Sequence, residues 1–381
     1  MASQCTRIFD DNFVELDLLN AFSSSSEKTD FPKENALDGL RRTKLWRTDG
    51  AFDIRAGSNT IVFEETAATP LTATVVATTY TNITSLLAAI KVALEAVGGS
   101  TFTIDTDSST SKIRFASDGA GGAGILNLLW SDAGSTAMGG ILGFDTVDQT
   151  GALLYIADEL RISNGEYLQF DLGISSNPGS FAFIASRNTP IPISPAATIR
   201  LQGNETTNFD NPTTDLTIPY NEEVIGLSSL TGLGTDAKRY WRMRIEDFEN
   251  PNLFISVGFV FLGDFFTPSQ GAVQFPFTEE TIDRSTSIIA EAGQIFSDQR
   301  DQTDSFPFSF RFLTTPEKED LKFIWTKFGS HTPFFISMDS DANFSTVFNK
   351  NLRYVKFRAQ PRFQLQRPNL WAMTVDLLEV L

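Results

Sequence analysis

The chain has 381 residues, enough for roughly two to four domains, and sets 30 basic against 47 acidic side chains for a net charge of −17. That balance excludes a surface built for nucleic acid or anionic lipid, because phosphate recognition needs clustered Lys and Arg. The single cysteine, Cys5, excludes an internal disulfide and points to folding in a reducing cytosol, and no apolar run is long enough for a membrane-spanning helix. The first residues lack a basic region followed by an apolar run, so no secretory signal is expected. Phe is abundant at 34 against 6 Tyr. Phe carries apolar area with no polar handle, which places it in cores or subunit interfaces.

In chain order, an apolar segment from Ile8 to Phe22 ends in the polar run Ser23 to Ser26. Residues 52–157 read as a separate α+β unit. Thr60 to Phe63 and Leu71 to Ala77 have strand composition, and Leu86, Leu87, Ile90, Leu94 and Val97 share one helical face between Thr84 as N-cap and Gly98 as stop. Strands resume at Phe102 to Asp105 and Lys112 to Ala116. A glycine-rich loop follows at Gly119 to Gly124, then apolar runs at Ile125 to Trp130 and Ile141 to Phe144. Residues 158–267 return to strands. In Tyr240 to Ile245, Trp241, Met243 and Ile245 face inward, and Tyr240, Arg242 and Arg244 face the other way. In residues 268–381, Phe306, Phe308, Phe310 and Phe312 alternate strictly, predicting a strand with one aromatic face. Thr315 as cap, Pro316 and the acids behind it predict a helix over about 316–328, stopped by Gly329. Tyr354 to Phe357 and Trp371 to Leu381 read as closing strands.

Catalytic chemistry is scarce. The only histidine, His331, sits at the predicted helix–strand junction with no nucleophile motif beside it, and the glycine-rich loop lacks the lysine of a phosphate-binding loop. Asp10-Asp11 and the acids of Asp105 to Asp107 supply the oxygen ligands that Ca²⁺ takes and could touch such an ion. The expectation is a protein that is not an enzyme and has no catalytic residues and no cofactor.

Phe31-Pro32-Lys33-Glu34-Asn35-Ala36-Leu37-Asp38-Gly39 followed by Leu45-Trp46-Arg47 resembles the opening of a discoidin-like, galactose-binding-type β-sandwich. Glu166 to Gly173 and Arg239 to Ile245 resemble its closing half. The resemblance implies a split sandwich of residues 1–51 plus 158–267 interrupted by the 52–157 module, with 268–381 as a C-terminal β domain bearing one helix. The fold class is then mainly β, β-sandwich and β-barrel domains with a small inserted α+β domain. It also implies Asn35 and Asp38 as candidates for a structural Ca²⁺, and Trp46 and Arg47 as glycan contacts.

The inserted module, with its Leu142-Gly143-Phe144, and the C-terminal domain resemble parts of tailed-bacteriophage tail-tip and distal-tail (baseplate) proteins. That implies a virion protein assembled in the host cytoplasm into a ring or other homo-oligomer. Its partners would be copies of itself, other phage tail proteins and a host-surface glycan, with no nucleic acid and no membrane insertion. Phe306, Phe308, Phe310, Phe312 and the terminal Leu381 are the candidates for self-association. The alternative is a host-attachment carbohydrate-binding protein, favoured if an aromatic and an Arg are exposed together in an end loop.

Overall fold

A computed structural model describes residues 7–15, 17–38, 44–161, 163, 165–185, 191–209, 211–218, 224–227, 237–248, 250–269, 278–283, 285–289, 294–298, 302–337 and 352–380. The fold is mainly β, in several antiparallel sheets, with three α-helices among the described residues. None of these helices is long and apolar enough to cross a membrane.

Two sheets form the sandwich. One has five strands in the order Thr214–Ile218, Thr198–Asn204, Lys238–Glu246, Glu166–Ser176, Ala21–Ser24. The other is an eleven-stranded sheet that does not end at the sandwich. Val224–Leu227, Ser180–Ala185 and Ser256–Phe266 lead to Arg7–Asn12, which pairs on its far side with Phe334–Ser337. The sheet then runs on through Leu352–Phe357, Leu370–Glu379 and Gln302–Leu313 to Glu280–Asp283. The sandwich core draws Leu168, Phe170, Leu201, Trp241, Met243 and Ile245 from the first sheet, and Phe181, Phe183, Val260 and Leu262 from the second. Period-two alternation therefore places Trp241, Met243 and Ile245 inside, as their spacing predicts.

The strand Arg7–Asn12 joins the sandwich to the C-terminal β structure. Ile8 pairs with Phe266 on one side and Ile336 on the other, and its side chain belongs to the C-terminal core. Phe9 points the opposite way, into a cluster with Ala182, Ile184, Phe261, Phe335, Leu352 and Tyr354. Because Ser180–Ala185 feeds the sandwich core from one face and this cluster from the other, it is buried throughout. The register slips between Phe9 and Asp11, which face Phe265 and Asp264, and Gly263 follows opposite Asn12. A Cβ on Gly263 would lie 1.8 Å from the Asp11 carbonyl oxygen, so only glycine permits the strands this approach.

The module has its own core, drawn wholly from residues 52–157. A four-stranded and a three-stranded sheet pack against α1 (Ile83–Glu95) and α2 (Thr136–Leu142). The α1 cap is Asn82 and not Thr84. The Asn82 side chain accepts the Ser85 N–H at 2.9 Å, so the helix starts earlier than a cap at Thr84 would allow. Leu86, Leu87, Ile90 and Leu94 are buried, whereas Val97 lies past the helix end and is 45% exposed. The glycine-rich loop packs against a buried carboxylate. Glu65 accepts the N–H groups of Gly99 and Ser100 at 2.7 and 2.8 Å, and a Cβ on Gly121 would come within 2.4 Å of its Oε2.

In the C-terminal part, α3 (Thr315–Phe328) is capped by Thr314 in a capping box with Glu317; Thr315 is the first helical residue. Burial alone would raise the Glu317 carboxyl, but hydrogen bonds from Thr314 and Ser269 hold it at about 2. The strict alternation of the four phenylalanines breaks. Phe306, Phe308 and Phe310 are buried in the chain's own core, but the register slips between Phe310 and Leu313. Phe312 turns outward at φ 62, half exposed, and Leu313 takes the inner position.

Candidate functional site: an arginine between two rings

Strand residues Trp46 and Arg47 pair with Val257 and Ser256, so neighbours in sequence point to opposite faces. Trp46 is fully buried in the sandwich core, and its indole N–H donates to the Ser26 carbonyl at 2.9 Å. A glycan cannot reach it, which corrects its candidacy as a contact.

Arg47 faces outward. Its guanidinium lies 4.0 Å from the centroid of the Phe31 ring and 4.9 Å from that of Phe254. All three side chains are half-buried. Lys28 stands beside them, 5.8 Å from the Phe254 ring and 3.6 Å from Asp49. Main-chain hydrogen bonds tie the loops together: Lys28 N–H to Arg47 O, Arg47 N–H to Phe31 O, and Thr48 N–H to Ile255 O, at 3.0 to 3.2 Å. Among the described residues the buried Arg47 Nε has no hydrogen-bond partner, and the ring quadrupoles stabilise the cation. The result is a small platform in which a rigid cation is braced by two aromatic faces. Such a surface can stack an apolar C–H face and donate N–H groups to hydroxyl oxygens.

The remaining candidates lie elsewhere. Asn35 and Asp38 close the turn before Trp46. The Asn35 amide donates to Leu45 O at 3.1 Å, and the Asp38 carboxylate pairs with Lys44 at 2.9 Å. A donor amide and an ammonium ion are poor surroundings for Ca²⁺, which binds through oxygen. Among the described residues no group of three or more His, Cys, Asp and Glu could hold a metal ion. Asp107 spends its carboxylate on Ser109 and Thr110, whose hydrogen bonds hold it at about 2. Asp10 is pushed up to about 6, by burial first and then by neighbouring Asp11. His331 is exposed in the turn after α3. Leu381 lies outside the described residues.

The strand after the module holds two further carboxylates. Asp171 accepts two hydrogen bonds from Arg239, at 2.7 and 2.9 Å, and one from Asn20, and these hold it well below the usual carboxylate range. Glu166 is fully buried at the module's entry. It accepts from the hydroxyls of Ser25 and Ser26 and from the N–H of Ala51 at 2.8 Å. Burial pushes its carboxyl up in spite of these donors.

Sequence reasoning singled out Arg47 but missed Phe254, which is distant in the chain and lies next to the Asn250-Pro251 turn. Phe31 stood inside the quoted motif without an assigned role.

No family and no curated protein matches this chain. Among solved structures it is similar to a fucose-binding module of Streptococcus pneumoniae, with 9% identity, a TM-score of 0.28 and coverage of 67% of this chain and 95% of that one. It is also similar to the lectin domain of lectinolysin complexed with Lewis B antigen, with 12% identity, a TM-score of 0.21 and coverage of 27% and 68%. At these TM-scores neither similarity carries a ligand over to this chain.

Proposed function

We propose that this chain is a non-catalytic structural protein of a phage tail tip that assembles with copies of itself and presents the Phe31–Arg47–Phe254 platform to a host-surface glycan. The platform carries the reading, because an outward-facing Arg beside two partly exposed aromatic rings is a surface suited to sugar recognition. A pyranose would lay its C–H face on a phenyl ring while Arg47 N–H groups meet its hydroxyls. The braced guanidinium loses little freedom on binding. One such site is weak, and several copies in one particle would raise the avidity.

The tail-tip setting comes from the sequence resemblance. Self-association is moved from the phenylalanine strand, whose inner rings are occupied, to a hairpin. Thr286–Ile289 and Ile295–Asp298 pair only with each other among the described residues, and Ile288 is 69% exposed. A lone two-stranded hairpin is marginal in water, so docking on a second copy would stabilise it.

The test is a glycan array with the purified chain, repeated with Arg47→Ala, alongside light scattering of the full chain and of a variant lacking residues 285–298. The expected results are saturable binding to a restricted set of glycans, loss of about tenfold or more in affinity for Arg47→Ala with a fall in melting temperature of only about 2–4 °C, and a multimer that the hairpin deletion dissolves. A chain that binds no glycan, or binds equally without Arg47, refutes the platform. A folded monomer that still binds selects the host-attachment role.

A further inference from the structure

A second cleft, of about 430 Å³, lies where the module meets the sandwich. That volume is within the range of small-ligand pockets, roughly 300–1,000 Å³. The module contributes Asp53, Arg55, Ser58 and the exposed side of α2, and Arg161, Ser163, Arg244 and Phe248 come from the chain beyond it.

Three arginines thus converge in one cleft of a protein whose net charge is −17. Each has a carboxylate neighbour: Asp53 for Arg55 at 2.9 Å, Glu246 for Arg244 at 3.0 Å, and Glu159 for Arg161. Of these carboxylates only Asp53 lines the cleft. Arg161 further donates its Nε–H to the Gly140 carbonyl of α2 at 3.3 Å, which ties it to the module's wall of the cleft. Arg161 also stacks over the Phe248 ring at 5.3 Å, giving the wall an apolar face. Behind Arg244, on the same sheet face, Arg242 is buried with hydrogen bonds only to neutral acceptors, Gln202 Oε1 and the Phe209 carbonyl. The nearby charges of Arg244 and Arg55 add to burial in lowering Arg242 to about 10, a sign of how closely the cations are gathered.

Ser163 supplies an independent observation. It is fully buried and lines the cleft, yet its hydroxyl has no hydrogen-bond partner among the described residues. Buried hydroxyls are ordinarily satisfied, and an oxygen of a bound molecule would satisfy this one.

From this geometry we infer that the cleft binds a carboxylate-bearing sugar unit, a uronic or nonulosonic acid. The carboxylate meets the arginine forks, which match its planar shape. The ring lies against Phe248, and a hydroxyl or ring oxygen meets Ser163. This extends the glycan-recognition reading but shares no residue with the Arg47 platform, so either can fail alone.

The experiment is calorimetric titration of the full chain with galacturonate, N-acetylneuraminate, galactose and inorganic phosphate. It is run on the wild type and on the Arg55→Gln, Arg244→Gln and Gly140→Trp variants. Gly140 has open space where a Cβ would be built, so the tryptophan plugs the cleft without disturbing the helix backbone. One of the acidic sugars is expected to bind with a dissociation constant near or below about 1 mM. Galactose should bind at least about tenfold more weakly, and the affinity of the acidic sugar should fall as salt rises. Gly140→Trp and each arginine variant should weaken it by about tenfold or more. Binding of phosphate as tight as that of both acidic sugars overturns the sugar assignment. Failure of both acidic sugars to bind, or binding untouched by Gly140→Trp, overturns the site. Should an arginine variant unfold, the Gly140→Trp result decides.

Discussion

Replacing Glu166 by alanine removes the acceptor that holds the module's entry strand to the sandwich. The carboxylate takes hydrogen bonds from Ser25, Ser26, Gly50 and Ala51. Without it the Ser25 hydroxyl can turn to the Tyr167 carbonyl, 3.5 Å away. The Ser26 hydroxyl and the N–H groups of Gly50 and Ala51 lose their acceptor. An orphaned buried donor costs about 1–3 kcal/mol. A water entering the vacated space would hold the total toward the low end, about 3 kcal/mol for the three. For a unit of this size that lowers the melting temperature by about 6–12 °C.

Glu166→Gln separates charge from hydrogen bonding. It keeps an acceptor oxygen for Ala51, and the serine hydroxyls can turn to accept from its amide. The pH dependence has a definite sign. The folded carboxyl is raised above its ordinary value of 4.5, so its contribution is fully present below that value and is lost as pH rises through the folded pKa. Glutamine should abolish that decline and leave the molecule close to wild type in mildly acidic solution. Scanning calorimetry from pH 4 upward, with limited proteolysis at residues 48–52, reads both effects. Equal destabilisation by Ala and Gln, or no shift with Ala, would refute the account of Glu166 as a buried hydrogen-bonding clamp.

Other expectations follow from the same contacts. Trp46→Ala should cost about 3–5 kcal/mol of stability, so any loss of glycan binding should accompany a larger fall in melting temperature than that of Arg47→Ala. Gly263→Ala, which sets a Cβ 1.8 Å from Asp11 O, should break the pairing of Arg7–Asn12 with Ser256–Phe266. Hydrogen exchange would show lost protection at both strands, and retained protection would mean that the slipped register relaxes easily. Glu317 is held at about 2, below its ordinary 4.5, so its contribution is present above pH 4.5 and lost as pH falls through about 2. Acid unfolding of Glu317→Gln should be flatter over that window, and an unchanged slope would show that the capping box contributes nothing to acid stability.

Several elements were legible because their causes are local. The period-3.6 stripe of α1, the proline and acids opening α3, and the alternation of Trp241, Met243 and Ile245 each depend on residues a few positions apart. Small errors arose where neighbouring residues compete for one role. Asn82 outbids Thr84 as a cap, and Thr314 takes the cap that Thr315 could have made because Glu317 stands three residues on. The break at Phe312 had no local signal, since a slipped register is decided by the partner strand Leu370–Glu379.

The candidate sites were less legible. The sequence alone determined the mainly-β class and the apolar faces, and it singled out Arg47, but it offered the neighbouring Trp46 as a contact too, which the structure buries. Only the tertiary structure decided that Phe31 and Phe254 brace that cation and that Arg55, Arg161 and Arg244 meet in one cleft. It also decided that Arg7–Asn12 joins the sandwich to the C-terminal sheet. The reason is physical. Periodicity says which way a side chain points from its own strand, but a site is made by segments brought together across sheets and loops. That pairing is set by long-range packing, which leaves no pattern in the nearby sequence.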